Sequence, residues 1–363
     1  PELRFPEFEG EWEEKQLGNI IKVNSGKDYK HLDKGDIPVY GTGGYMTSVS
    51  EPLSEIDAVG IGRKGTINKP YLLEAPFWTV DTLFYCTPKK ETDILFILSL
   101  FRKINWKVYD ESTGVPSLSK QTINKINRFV PTNKEQQKIG KFFSKLDRQI
   151  ELEEQKLELL QQQKKGYMQK IFSQELRFKD ENGNDYPDWT NERLGEVTTV
   201  TMGQSPKSVN YTDNSNDTVL IQGNADIENG LINPRIYTRE VTKLIQKDEI
   251  ILTVRAPVGK LAMAQINACI GRGVCSIKGD KFLYYFLEWF ATQNKWIRFS
   301  QGSTFESISG NDIRNIHIKI PVEDERTKII KLLNSLDVLN SKTDLKIQNL
   351  KQRKQSLLQK IFV

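Results

Sequence analysis

Residues 167–178 read YMQKIFSQELRF, and the two halves of this stretch recur at the two ends of the chain. The sequence closes with LLQKIFV at 357–363 and opens with PELRF at 1–5. The motifs QKIF and ELRF are therefore close together in the middle of the sequence and lie at opposite ends of the chain. This pattern predicts an internal duplication, in which each copy folds as one unit with the same parts.

The duplication extends over the whole chain. When 131–172 is aligned with 321–362, 15 of the 42 residues are identical without a gap. Upstream, Trp12 aligns with Trp189, and the Leu-Gly pair at 17–18 aligns with that at 194–195. The sequences between these matches differ, so the two copies share a frame and vary inside it.

Each copy contains a variable part and a repeated part. The variable parts have short β-type runs such as IPVYG and EIILTV, separated by Gly, Pro and Asn, and each has one helical stretch, near 93–108 and 281–299. We predict an α/β (α+β) fold with a pseudo-twofold repeat. Its four segments are a first domain over 1–134, a long helix over 135–174, a second domain over 175–324 and a second long helix over 325–363.

The repeated segments are predicted to be long helices, because they lack proline and carry apolar residues at spacings of three, four and seven. About 37 residues at 1.5 Å each span roughly 55 Å, too long for packing inside one small domain. We expect the two stripes to pair as an antiparallel coiled coil; the alternative is a helix on the surface of its own domain. The pairing residues are Leu146, Ile150, Leu157, Leu160 and Ile171 in the first helix and Leu336, Leu339, Ile347, Leu350, Leu357 and Ile361 in the second.

The junction sequence sets the direction of this pairing. The first helix ends at QKIF beside the ELRF that opens the second domain, and the second helix ends at QKIF with PELRF as its natural neighbour. The helices should therefore be antiparallel with one domain at each end, and the first and last residues of the chain should meet.

Composition favours an intracellular protein with two cores. The chain has 363 residues, 37% hydrophobic and 27% charged, without an apolar run of membrane-spanning length or a signal-peptide pattern, so we expect it in the cytoplasm. A first residue of Pro suggests that a short leader is missing. Cys86, Cys269 and Cys275 lack C-x-x-C spacing and are expected to be buried thiols, and neither they nor the two histidines predict a metal site or a cofactor.

The charge is unevenly distributed. The net charge is +5, but residues 325–363 alone carry nine basic and three acidic side chains. The two predicted domains are thus neutral or slightly acidic, and any contact with nucleic acid must come from local patches or from a partner.

The sequence contains no recognisable catalytic motif. A literal G-x-G-x-x-G occurs at 60–65, but a dinucleotide site needs a helix after it, and TINKPYLLEAPFWTVDT has two prolines and a β-rich composition. There is no P-loop, H-E-x-x-H or G-x-S-x-G, nor the Asn-Pro-Pro-Tyr or Asp-Pro-Pro-Tyr of amino-methyltransferases. The absence favours a binding protein.

The glycine-rich loops are the candidate contacts to DNA. Arg can bind guanine bidentately, Asn and Gln can bind adenine, and glycine lets a loop approach a groove. Any one such loop taken alone is more often a turn with a solvated charge. The candidate contacts are Tyr40, Gly43, Tyr45, Arg63, Lys64, Thr66, Ser117 and Lys120 in the first copy, and Gln204, Lys207, Gln222, Asn224, Arg255, Arg272, Ser303, Thr304 and Phe305 in the second.

The order of these parts resembles the specificity (S) subunit of type I restriction–modification systems. The resemblance covers essentially the whole chain and is carried by VPTNKEQQKIGKFFSKLDRQI at 130–150, IPVEDERTKIIKLLNSLDVLN at 320–340, VGIGRKGTI at 59–67, STGVPSLS at 112–119 and GSTFESIS at 302–309. The sequence departs from the family pattern at Glu325-Arg326, where Glu-Gln is usual, and we interpret this as a tolerated surface change.

This resemblance implies a non-catalytic protein that binds double-stranded DNA. Its two variable domains would each read one half of a bipartite asymmetric target, and its helices would set the spacing and dock two methyltransferase (modification) subunits, which restriction subunits join. Two alternatives stay open at this stage: a self-contained DNA methyltransferase or nuclease with an unrecognised active site, and a coiled-coil adaptor for other proteins.

Overall fold

In the computed structural model, which describes residues 1–296 and 307–362, the chain forms two units. The first unit consists of Pro1–Lys156 and Thr343–Val363, and the second of Leu157–Lys342. Each unit therefore combines one variable domain, the first half of the long helix that follows it and the last half of the other long helix. The division into four segments remains a prediction about how the chain is assembled.

The first unit is built from short strands and few helices. Its strands are β1 (Glu13–Gln16), β2 (Ile21–Ser25), β3 (Ile37–Gly41), β4 (Gly44–Val49), β5 (Ala58–Gly62), β6 (Tyr71–Leu73), β7 (Trp78–Thr79), β8 (Leu83–Pro88) and β9 (Asn127–Val130). Its helices are α1 (Leu17–Ile20), α2 (Ile94–Lys103), α3 (Lys120–Lys125) and the beginning of α4 (Asn133–Phe172), with a 3₁₀ turn at Trp106–Tyr109.

The second unit follows the same plan. Its strands are β10 (Thr190–Arg193), β11 (Val200–Met202), β12 (Tyr211–Thr212), β13 (Thr218–Ile221), β14 (Ile227–Glu228), β15 (Leu231–Ile232), β16 (Tyr237–Thr238), β17 (Leu244–Ile245), β18 (Ile250–Thr253), β19 (Leu261–Met263), β20 (Ala268–Ile270), β21 (Val274–Ile277) and β22 (His317–Ile320). Its helices are α5 (Leu194–Val197), α6 (Lys281–Thr292), α7 (Gly310–Arg314) and the beginning of α8 (Glu323–Ile361), with 3₁₀ turns at Ser208–Asn210 and Asn224–Asp226.

The two variable domains share one topology although their sequences differ. In the first unit the strand order β2-β8-β5-β6 matches β11-β21-β18-β19 in the second, with antiparallel neighbours throughout. Beside each of these sheets lies a parallel strand pair, β3 with β7 and β13 with β20. The predicted duplication thus includes the variable parts, where almost no sequence identity marks it.

The sheets are held by apolar runs and by a capped helix in each unit. AVGIG of β5 and IILT of β18 are buried along their whole length. Asp93 accepts a hydrogen bond from the amide of Phe96 to cap α2, and Asp280 accepts one from the amide of Leu283 to cap α6. Helix α2 is shorter than its predicted range, because it ends at Lys103 and continues only as a 3₁₀ turn. All three cysteines lie buried in strands.

The two long helices run antiparallel within each unit. In the first unit, Lys351 pairs with Glu154 at 2.7 Å and Lys354 pairs with Asp147. A later residue of the second helix thus pairs with an earlier residue of the first, as in an antiparallel pair. In the second unit, Lys164 pairs with Asp337 at 2.7 Å. Helix α4 has 40 residues and α8 has 39, without a break in either.

The predicted pairing residues differ in how deeply they are buried. Leu146, Ile150, Ile171, Leu336, Ile347 and Ile361 are buried, while Leu157, Leu160, Leu350 and Leu357 are partly buried. Leu339 is 45% exposed, so the structure does not place it in the buried stripe. The buried residues nearest to it on the helix are Leu336 and Thr343, three and four positions away, and the 3-4 spacing of a helix stripe passes through them instead.

The repeated QKIF words end inside hydrophobic cores. In the first unit, the ring of Phe362 lies 5.5 Å from that of Phe96 and 6.1 Å from that of Phe143. In the second unit, the ring of Phe172 stacks at 5.4 Å from that of Trp289 and lies 5.6 Å from that of Phe282. The end of each long helix thus completes the core of the domain attached to the other helix, which explains why these residues are duplicated.

The repeated LRF words contact the beginning of the long helix. Arg4 forms a bidentate pair with Glu135, which is 1% exposed, and the indole N–H of Trp12 donates to the same carboxylate at 3.2 Å. The amide of Leu3 also donates to the carbonyl of Lys360 at 3.0 Å. The first residues of the chain therefore meet its last helical turn, as the junction sequence predicts.

The Glu-Arg departure at 325–326 has a structural role, so its interpretation as a surface change was wrong. In the first unit, the buried Gln136 accepts a hydrogen bond from the amide of Asp93 at 3.0 Å. At the aligned position, Arg326 instead forms an ion pair with the carboxylate of Asp280 at 2.6 Å. Both residues link the long helix to the cap of the domain helix, one by an amide and the other by a charge.

Candidate nucleic-acid interface

In the first unit, the loops that follow the strands β2, β3, β5 and β7 meet at one edge of the sheets. The amide of Lys27 donates to the carbonyl of Thr79 at 2.8 Å, and the amide of Val80 donates to that of Tyr40 at 3.0 Å. The amide of Arg63 donates to the carbonyl of Thr82 at 2.8 Å. We call these loops, residues 26–28, 40–45, 63–66, 80–82 and 116–118, the edge loops of unit 1.

The structure brings most first-copy candidates together at this edge. Tyr45 is 64% exposed, and its ring lies edge-on to that of Tyr40 at 6.4 Å, across a turn that contains the exposed Gly43. Arg63 and Lys64 are exposed, and the Arg63 guanidinium lies over the ring of Phe84 at 5.9 Å. The remaining candidates are nearby in the fold: Thr66 ends the same loop, Ser117 forms a β-bridge with Lys64, and Lys120 begins α3.

The second unit builds the same edge from different residues. The amide of Gln204 donates to the carbonyl of Ile270 at 2.9 Å, and that of Gly271 donates to the carbonyl of Ile221 at 2.7 Å. The amide of Val254 donates to the carbonyl of Gly273 at 2.9 Å. We call residues 203–207, 221–224, 254–255, 271–273 and 307–308 the edge loops of unit 2.

Backbone hydrogen bonds show which residues correspond between the units. The amide of Leu118 donates to the carbonyl of Arg63 at 2.9 Å, and the amide of Ile308 donates to the carbonyl of Val254 at 2.9 Å. The next residues, Lys64 and Arg255, form equivalent β-bridges with Ser117 and Ser307. Arg255 is therefore the counterpart of Lys64, while the counterpart of Arg63 is the buried Val254.

The other second-copy candidates surround this edge. Gln204, Arg255 and Arg272 are exposed, and the amide of Arg272 donates to the hydroxyl of Ser205 at 3.0 Å. Lys207 is exposed, with its amide bound to Glu240 at 3.1 Å, and Gln222 and Asn224 are partly buried at the end of β13. Ser303, Thr304 and Phe305 lie outside the described residues.

Two glycines let the loops come this close. A Cβ atom on Gly26 would lie 2.0 Å from the carbonyl oxygen of Val80, and one on Gly203 would lie 2.2 Å from that of Gly271. Each therefore marks a place where two edge loops cross with their backbones in contact.

Sequence reasoning missed Lys27 and Asp81, which the structure places in the edge loops of unit 1. The signal for Lys27 was present, because the alignment that joins Trp12 to Trp189 also joins Gly26 to Gly203, with Lys27 opposite Gln204. No comparable signal marked Asp81, since the alignment fails between the frames and only strand pairing restores it.

The chemistry of both edges is that of a binding surface. Exposed guanidinium, ammonium, amide and phenol groups project from closely packed backbone and can donate to base edges or phosphates. Within 1–296 and 307–362, no group of His, Cys, Asp and Glu side chains is arranged to hold a metal ion. In the same part of the chain, no helix has the length and apolarity needed to cross a membrane.

Comparison with known proteins agrees with this architecture. The sequence profile of the type I restriction modification DNA specificity domain matches residues 9–162 and again 186–352. The putative type I restriction enzyme MjaX specificity subunit of Methanocaldococcus jannaschii is 30% identical over 261 residues, which cover 68% of this chain. This match spans 61% of that relative's own length.

Two solved structures have the same fold. The type I S subunit from M. genitalium superposes with a TM-score of 0.70 at 16% identity, covering 100% of this chain and 99% of that one. A chain from a structure concerned with assembly and conformational transition of a type I R-M system gives 0.61 at 19% identity, covering 99% and 98%. The predicted fold class is confirmed. The two profile matches, one for each copy of the repeat, show that this chain belongs to the type I restriction–modification DNA specificity family and carries its domain twice.

Proposed function

We propose that this chain is the non-catalytic DNA-recognition subunit of a type I restriction–modification complex, acting in the cytoplasm. The observation that carries this proposal is the duplicated edge: two units of one topology present different side chains on equivalent loops. Equivalent scaffolds with different contact residues suit two dissimilar half-sites of one target.

The partners follow from the same architecture. The domains outside 325–363 carry no positive excess, so much of the phosphate neutralisation, and hence affinity, must come from other subunits. We propose that the outward faces of the long helices dock two methyltransferase subunits, one for each copy of the repeat, and that restriction subunits join through them. The unbroken helices would set the length of the unread spacer between the half-sites.

A domain exchange tests the recognition role. Residues 19–118 are replaced by the equivalent segment of a relative, and the methylated bases of host DNA are mapped with the complete system present. One half of the methylated target should change while the other half is retained. The same exchange of an equivalent segment in unit 2 is the matched control and should change the opposite half. An unchanged target in both exchanges would refute the proposal.

Two cheaper measurements separate the alternatives. A self-contained methyltransferase would bind S-adenosylmethionine as the purified chain, whereas a recognition subunit should show no such binding by calorimetry. A protein adaptor would leave the methylated target unaltered when its domains are exchanged.

A further inference from the structure

Asp81 and Arg272 occupy the same position in the two units. The amide of Val80 donates to the carbonyl of Tyr40 in β3, and the amide of Gly271 donates to the carbonyl of Ile221 in β13. Three residues after each, a turn closes: the amide of Leu83 donates to the carbonyl of Val80 at 3.0 Å, and that of Val274 to the carbonyl of Gly271 at 3.1 Å. The residue after the first turn position is Asp81 in one unit and Arg272 in the other.

Both side chains are exposed and unengaged. The guanidinium of Arg63 reaches Asp81 only at its backbone carbonyl, at 3.5 Å. The backbone amide of Arg272 donates to the hydroxyl of Ser205, and the side chain of Arg272 is exposed. Across residues 1–296 and 307–362, no hydrogen bond or ion pair joins either charged group to another side chain, because the hydrogen bonds of both residues are made by backbone atoms. Equivalent turns in the two units thus carry side chains of opposite charge.

The chemistry of base edges distinguishes these two groups. A guanidinium donates to O6 and N7 of guanine, whereas a carboxylate can only accept. In the major groove a carboxylate pairs with N4 of cytosine, because beside N6 of adenine it would also face the N7 acceptor, which repels it. A carboxylate is repelled by phosphates, so it weakens binding unless it accepts such a hydrogen bond from a base. The cations Lys27, Arg63 and Lys64 of the same edge loops can bind the phosphates of the DNA backbone.

We propose that Asp81 selects a cytosine in the half-site of unit 1 and that Arg272, at the equivalent position, selects a guanine in the half-site of unit 2. This inference rests on the proposed DNA-recognition function and adds to it a base for one residue in each unit. The turn between β7 and β8 would then help to set the specificity of unit 1. The turn between β20 and β21 would do the same, independently, for unit 2.

The test uses the complete system and maps methylated bases in host DNA. Asp81→Asn should weaken the requirement for a C·G pair at one position of one half-site and admit an A·T pair, because an amide can bind adenine bidentately. Arg272→Ala should relax one G·C position in the other half-site only. Each preference should fall roughly 5- to 150-fold. Asp36→Asn and Arg193→Ala, exposed but outside the edge loops, are the matched controls and should leave the target unchanged.

The outcomes separate this inference from the function on which it rests. If domain exchange changes a half-site but Asp81→Asn and Arg272→Ala leave every base unchanged, the base assignment is wrong and the recognition role stands. A change at a position that is not a G·C pair in the wild-type target would also overturn the assignment. If domain exchange changes neither half, the recognition role itself fails. Thermal unfolding of the variants, expected to match the wild type, shows that the fold is intact.

Discussion

The carboxylate of Glu325 accepts two hydrogen bonds from the guanidinium of Arg177, from Nε at 2.7 Å and from Nη2 at 2.8 Å. The indole N–H of Trp189 donates to the same carboxylate at 2.9 Å, and the glutamate is fully buried. This contact joins the segment after the first long helix to the beginning of the second. Its copy, Arg4 with Glu135, does the same in the other unit.

Glu325→Gln should destabilise the second unit by about 1–3 kcal/mol, because it leaves the partly buried guanidinium of Arg177 without its charge partner and can turn an amide donor toward the indole N–H. Urea unfolding followed by tryptophan fluorescence measures the change. Glu181→Gln, an exposed glutamate in the same unit, is the control and should have little effect. Equal midpoints for the two variants would show that the contact adds no stability.

Glu288 should make the second unit dependent on pH. Burial raises the pKa of its carboxyl above the ordinary 4.5, outweighing the opposing effect of Lys164 at 2.7 Å, and Asp337 raises that pKa further. The folded state therefore binds this proton more tightly than the unfolded chain, and the free energy of unfolding falls as the pH rises from 4.5 through the raised value.

Glu288→Gln should remove that fall. The free energy of unfolding of the variant, relative to that of the wild type, should therefore rise as the pH is raised from 4.5 to about 8. Chemical denaturation at a series of pH values measures it, and Glu181→Gln again serves as the control. A shift in favour of the wild type would mean that the ion pair with Lys164 dominates over desolvation.

Gly203→Ala should destabilise the second unit and weaken its half-site, because the new Cβ atom would lie 2.2 Å from a backbone oxygen of the neighbouring edge loop. Overpacking of this kind costs about 1–3 kcal/mol. Gly223→Ala, in a neighbouring edge loop, is the matched control for stability, since nothing lies within 4 Å of its Cβ position and its φ of 173° is ordinary extended backbone. Thermal unfolding compares the two variants, and equal stability would exclude a close loop crossing; the methylated target is compared between Gly203→Ala and the wild type.

Lys64→Ala and Arg255→Ala should each affect only the half-site of their own unit, because the two residues hold equivalent positions in separate edges. Binding of the assembled complex to duplexes altered in one half, at several salt concentrations, provides the readout. A base contact would lower discrimination by about 1–3 kcal/mol, whereas a phosphate contact would lower the salt slope by about 1. Lys22→Ala, on the exposed side of β2, should do neither.

The spacer length should follow the long helices. The division between the units crosses α4 at Lys156/Leu157 and α8 at Lys342/Thr343, so seven residues inserted at both points preserve the contacts within each unit. The insertion adds about 10 Å of helix, and the spacer should lengthen by about three base pairs with both half-sites retained. The same residues inserted in the turn at 180–184 should leave the spacer unchanged. Altered half-site bases would contradict the proposal that the long helices set the spacer length.

The repeated words could be interpreted from sequence because they form local and strongly patterned structure. The 3-4-7 spacing predicted both long helices, and the position of QKIF beside ELRF predicted that they run antiparallel. Leu339 shows the limit of this reasoning: a periodic leucine satisfies the pattern, but packing buries Leu336 and Thr343 instead. Arg326 shows another, since only its contact with Asp280 reveals that the position is structural.

The sequence by itself determined that the chain is duplicated, that its frame is helical and that it lacks the P-loop, H-E-x-x-H and G-x-S-x-G motifs. The tertiary structure decided which residues of the variable domains belong together, because strand pairing joins residues far apart in the chain whose identities are free to differ. Asp81 and Arg272 are the clearest case: backbone hydrogen bonds hold them at one position of a shared turn, and hydrogen bonds between backbone groups leave no mark on side-chain identity.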